Sequence, residues 1–233
     1  VGLTLVIALL NGDVWVGFIS GLISWLPVIA LGAILGKTVS WAHVLQYMFA
    51  ILAGLIVLFH LVVGGDTATS WESWLQTLVG LLDIQDSEQQ SLLNDAFKQA
   101  APYMTGAIAA LVGIHWIVSL MIGRHWQAEL YNPGGFQQEL HHIRVSKPLA
   151  LMVLALVGIT LLTQSALVTD IVLAGLSVFL FAGLSLVHYS VKALGLGIIW
   201  LVSVYILLLI LPLYTGILLD AFGIIDSQAN FRS

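Results

Sequence analysis

Long uncharged stretches recur along this chain, separated by short polar ones. Residues 14–36 hold 23 positions without a formal charge, and 38–65 hold 28. Further gaps cover 25 residues (99–123), 22 (148–169), 21 (171–191) and 27 (193–219). A bilayer core about 30 Å thick needs about 20 apolar residues of helix, so each window is long enough to cross one. Runs such as IVLAGLSVFLF and YILLLILPLY do not alternate, so a β-barrel is excluded. Lipid cannot satisfy an open backbone, which leaves helices. The pattern predicts an all-α, polytopic transmembrane bundle forming one domain over 1–233. Its spans fall near 14–36, 39–63, 101–122, 148–165, 170–190 and 194–216. The apolar opening VGLTLVIALL is too short to span and has no basic flank, so it reads as the end of a truncated N-terminal helix.

Two longer polar segments have helical patterns of their own. In residues 66–98, Trp71, Trp74, Leu75, Leu78 and Leu82 recur at helical spacing opposite Glu72, Ser73 and Gln76. This predicts an amphipathic helix with tryptophans at headgroup depth. A second polar helix starts near Ser87 and leads into the next span. In residues 124–147 the string NPGGF must turn. Proline fixes φ at Pro133, and Gly134-Gly135 permits positive φ. Phe136, Leu140 and Ile143 then share one face, which predicts a short interfacial helix running to about Arg144.

Composition sharpens this picture. Only 8% of residues are charged, against 60% hydrophobic, and the mean hydropathy is +1.04. A soluble domain carries about 25% charged residues, so a soluble enzyme or nucleic-acid binder is excluded. The lipid bilayer is the expected partner. Charge also orients the chain. Residues 66–98 hold six acids and one base, whereas 124–147 hold three bases and two acids. The positive-inside rule puts 66–98 outside and 124–147, with Lys37 and Lys192, in the cytoplasm of a bacterial inner membrane. Strict alternation puts the C-terminus outside. Arg232 argues against that, unless Pro212 breaks the last helix and turns the chain back.

The strings LYNPGGFQQELHHIR, GLSLVHYSVKALGLG, YILLLILPLY and LLDAFGIIDSQANFR resemble the DUF2232 (YybS-like) bacterial membrane proteins. The resemblance covers roughly residues 126–232. It implies distant similarity to the substrate-binding S-components of energy-coupling-factor transporters. A bundle of about six helices, a small-molecule pocket open to the outside and a cytoplasmic coupling surface would follow.

Candidate chemistry is sparse. No acid or base falls inside a window. Asp13, Asp170 and Asp220 sit at window edges, where water is expected to reach. There is no cysteine, no metal-ligand spacing and no catalytic motif, so neither cofactor nor metal nor enzyme activity is read from the chain. His115 with Trp116, and His60, are the buried-looking titratable positions. His115 and Trp116, with Trp71 and Trp74 above, are the candidate pocket residues. Gly17 with Gly21, and Gly32 with Gly36, form GxxxG pairs suited to close helix packing within the bundle or against a partner chain or second copy. Asn132, Pro133, Gly134, Gly135, Phe136, Glu139 and Arg144 are the candidate docking residues of the inner loop. Three functions stay open. A solute-binding S-component-like subunit predicts a polar-lined cavity under the Trp71 helix. A non-transporting scaffold predicts a solid bundle. A lipid-modifying enzyme predicts a lipid-open cavity beside Arg144, with Asn132, Glu139 and His142.

Overall fold

The computed structural model describes residues 14–64, 66–81, 86–229 and 232. The opening apolar stretch, Asp13 and Leu82 lie outside those residues. Every regular element described is helical: α1 (Val14–Thr38), α2 (Trp41–Val63), α3 (Thr67–Leu81), α4 (Ser87–Ala100), α5 (Met104–Tyr131), α6 (Gly135–Leu140), α7 (Lys147–Thr163), α8 (Ala166–Ala193), α9 (Ile199–Ile210) and α10 (Pro212–Gln228). Four helical stretches are long and apolar enough to cross a membrane, namely α1, α2, α4 running on into α5, and α8.

The other two windows are shorter as helices than their hydropathy suggests. α7 has 17 residues, and α9 has 12 before the chain breaks at Leu211. Pro212 supplies no N–H, and Leu211 adopts φ −128° and ψ 60°, outside the helical region. The expected span 170–190 is instead the longer α8.

α8 is the axis of the fold. It packs most extensively on α10 and α5, then on α2 and α7. Sequence explains its position. Ala174, Gly175, Ser177, Ala182, Gly183 and Ser185 leave room for backbones to approach. A Cβ on Gly183 would lie 2.0 Å from the Leu219 carbonyl oxygen, and one on Gly223 would lie 2.4 Å from that of Phe179. The α8–α10 crossing therefore requires both glycines. α2 presents Val44, Leu45, Met48, Leu52 and Ile56 to the core at three- and four-residue spacing. Trp116, Ile117, Val178 and Phe179 fill the centre and are fully buried.

The polar segments differ from expectation in one respect. Residues 66–98 do form two helices, α3 and α4. The Asp86 side chain caps α4 by accepting from the Glu88 N–H at 2.9 Å. The inner helix α6, however, stops at Leu140. Its apolar face turns into the protein, where Phe136 and Leu140 pack on the core and Ile143 is fully buried. Tertiary bonds to α8 and α10 pull this segment inward, so it does not lie flat on lipid.

Candidate functional site

Polar side chains gather at the two ends of the bundle. At one end, Pro102 forces a 3₁₀ turn (Ala101–Tyr103) between α4 and α5. The first turn of α5 therefore begins with N–H groups that need partners. The Gly106 N–H donates to Asp170 Oδ1 at 2.9 Å, across from α8. The other carboxylate oxygen lies 2.8 Å from His60 Nε2, at the end of α2. A Cβ on Gly106 would lie 2.7 Å from the Asp170 Cα, so only glycine lets these helices meet. Asp170 is fully buried, not water-exposed at a window edge. Its charge is tolerated because a histidine and a helix N-terminus both face it.

Above this knot sits α3. Trp71 donates its indole N–H to Thr105 Oγ1 at 2.8 Å. Its ring stacks on Phe59, with centroids 6.0 Å apart, and meets Trp74 edge-on at 5.0 Å. Beneath Trp71 a cleft of about 460 Å³ opens between α2 and α5, walled by Leu52, Leu55, Phe59, Ile108 and Val112. Thr105, already engaged by Trp71, is its one hydroxyl. The expected polar-lined cavity is thus an apolar one. His115 and Trp116 do not join it. His115 lies exposed on α5, and Trp116 is buried in the core with its indole nitrogen unpaired.

At the other end, the inner loop is tied down at three points. Arg124, near the end of α5, grips both oxygens of Glu139 in a bidentate pair. Trp41 Nε1 donates to the same carboxylate at 3.2 Å. Arg124 holds the Glu139 carboxyl below its ordinary range, with Trp41 assisting and partial burial opposing. Second, Ser185 of α8 donates its hydroxyl to the Leu140 carbonyl. Third, Asp226 of α10 is fully buried between two guanidinium groups, 2.9 Å from Arg232 and 3.3 Å from Arg144. Arg144 also donates to the Asp226 backbone carbonyl. Neither Asp226 side-chain oxygen meets hydrogen-bond geometry, so charge, not aligned bonding, holds this group. Arg232 donates to the His141 carbonyl and, at 2.8 Å, to Ser185 Oγ. Arg232 therefore sits at the inner-loop end of the bundle.

The candidate loop residues form one compact turn. The Gly135 N–H donates to the Asn132 carbonyl at 2.9 Å, and Gly134 has φ +83°. Phe136 packs edge-on against His125. Asn132, Pro133 and Gly134 are exposed, whereas Glu139 and Arg144 belong to the ion pairs above. The GxxxG pairs divide. Gly17 is buried and Gly21 partly so. A Cβ on Gly32 would touch Leu120 at 3.3 Å, and one on Gly36 would meet nothing within 4 Å. Gly32 and Gly36 instead line a cavity of about 510 Å³ between α1 and α5, floored by Arg124, Gln127 and Glu139.

Asp226, Arg232, Ser185 and Arg124 escape a reading of the sequence. The one signal was economy. The chain has only 19 formal charges among 233 residues, and Asp226 and Arg232 stand six positions apart just after a long apolar run. No family model, curated protein or solved structure matches the chain.

Proposed function

We propose that this protein is a membrane-embedded binding subunit of S-component-like type. It crosses a bacterial inner membrane five times, by α1, α2, α5, α7 and α8, and the broken α9–α10 pair turns back at Pro212 to the face it leaves, where Asp226 meets Arg144. It holds an apolar organic molecule in the outer cleft and acts with a separate ATP-driven module. The resemblance to DUF2232 proteins supports the class. The observation that carries the ligand is the cleft beneath Trp71. Its volume of about 460 Å³ suits one small ligand. Its hydrocarbon walls offer no partner to a charged or multiply hydroxylated solute, because unmet polar groups in such a site are costly. An alicyclic, aromatic or short acyl molecule fits this chemistry.

A scaffold without transport is the second reading. It is favoured by the filled centre of the bundle, where Trp116, Ile117 and Phe179 leave no path between the two ends.

The test is to purify the protein in mild detergent and identify retained small molecules and chains by native mass spectrometry. Ala109→Phe places a ring into the cleft. The binding reading expects an apolar molecule on the wild type and its loss from Ala109→Phe at unchanged melting temperature. A wild type that retains no such molecule but keeps stoichiometric partner chains establishes the scaffold instead.

A further inference from the structure

We propose that the open pocket where α6 meets the end of α8 binds a phosphate-bearing ligand. The pocket holds about 450 Å³ and is lined by Gln138, His141, His142, Tyr189, Lys192 and Ala193. It lies at the opposite end of the molecule from the Trp71 cleft and is independent of that reading.

Its lining contains a lysine, two histidines, an amide and a phenol, and no carboxylate. Charged groups behind the lining add to this. His188 sits one turn before Lys192 on α8. The Arg232 guanidinium lies 5.9 Å from the Tyr189 ring centroid and bonds the His141 carbonyl. Asp226, paired with Arg232 and Arg144, does not line the pocket. Glu139, on α6, is committed to Arg124.

Helix polarity opposes an anion here, because α6 and α8 both end at the pocket and carbonyl ends carry roughly half a negative charge. Those carbonyls are largely engaged. Arg232 takes that of His141, Leu194 N–H that of Ser190, and Gly195 N–H that of Lys192. Lys192 sets a full cation against the partial charge that remains.

The histidines add ring nitrogens to the lining. His141 is buried, and its pKa is lowered first by burial and then by repulsion from Lys192, His188, His142 and Arg232. His142 Nδ1 lies 2.7 Å from the Gln138 carbonyl and donates to it. A phosphate supplies the counter-charge that Lys192 lacks in this lining. Phosphomonoesters and anionic phospholipid headgroups share this chemistry.

The full chain is purified with isotope-labelled histidine, and inorganic phosphate is titrated while imidazole resonances are followed. Saturable shifts at His141 and His142 are expected. Lys192→Ala, at an exposed position, should weaken binding about tenfold, the loss of one charge-assisted contact. His142→Gln, which removes a ring from the lining, should weaken it as well. In parallel, protein is taken from vesicles of equal phosphatidylglycerol and phosphatidylcholine, and bound lipid is counted by native mass spectrometry. Selective phosphatidylglycerol retention that Lys192→Ala abolishes assigns the site to a lipid headgroup. Saturable phosphate binding with no lipid selectivity assigns it to a soluble phosphate compound. The proposal is overturned if neither saturation nor lipid selectivity is seen, or if folded Lys192→Ala and His142→Gln both behave as wild type.

Discussion

Gly183 and Gly36 are both helical glycines in apolar surroundings, yet their substitution should differ sharply. Gly183→Ala forces a methyl group to within 2.0 Å of a backbone carbonyl, so α8 and α10 must separate. Overpacking of this kind costs about 1–3 kcal/mol, often more when backbone must move. Gly36→Ala meets open space, so its melting temperature in detergent should match the wild type. Equal melting temperatures for both variants would refute the described crossing. Glu139 makes a second residue-scale expectation. A carboxyl held below its ordinary value contributes stability that is full above that value and fades as pH falls through the lowered one. The melting-temperature gap between wild type and Glu139→Gln should stay constant from neutral pH down to the ordinary value near 4.5, then close at more acid pH. A gap that instead widens in acid would assign Glu139 the opposite role. What the sequence shows at this scale is residue type, not pairing. GxxxG spacing singles out Gly32–Gly36, but the close approach needed by Gly183 is made to Leu219, 36 positions later, and leaves no local pattern.

Helix existence was legible and helix endings were not. Charge gaps place α1, α2 and α8 to within a few residues, because lipid leaves a long apolar segment no other way to satisfy its backbone, whereas α5 runs nine residues past the expected 122 to Tyr131. Hydropathy cannot say that Leu211–Pro212 splits the last window, since both residues are apolar. Nor does the amphipathic stripe Phe136–Leu140–Ile143 reveal whether it meets lipid or protein. The decision comes from Ser185, Asp226 and Arg232, which lie 45 to 91 residues away from their partners in the loop. The latch these side chains form has a measurable consequence. Asp226→Ala removes the carboxylate that pairs with Arg144 and with the buried Arg232. Removing one partner of such a cluster costs about 3–5 kcal/mol. The variant should become sensitive to protease within residues 132–146 while α3 and α4 remain protected. Unchanged digestion kinetics would show that the ion cluster does not hold the loop.

Across the whole molecule, the two polar knots have a separation that matches a membrane. From Gly106, bonded to Asp170, to Arg124, bonded to Glu139, α5 advances 18 residues, or about 27 Å at 1.5 Å each. From Trp41 to His60 on α2 the rise is about 28 Å. Both values approach the roughly 30 Å of a hydrocarbon core. The buried charges thus sit near the two boundaries, while apolar faces such as Ile199, Val202, Ile206 and Leu209 on α9 cover the width between. This geometry settles a question that parity left open, because Arg232 bonds to His141 whatever path α9 and α10 take. These 233 residues contain no cysteine, so within them a single introduced one reports without ambiguity. Cysteines at Gln138 and Gln228 should be shielded together from an impermeant thiol reagent added to intact cells, and should label together once the membrane is opened. A cysteine at Gln89 should label from outside at once. By the positive-inside rule the basic residues around 124–147 mark the face expected to be cytoplasmic. The Arg232–His141 contact sets which face the tail shares. If position 228 labels with position 89 and not with 138, the tail contact is wrong. If 89 and 138 exchange behaviour while 228 follows 138, the fold stands and only its orientation in the membrane is reversed.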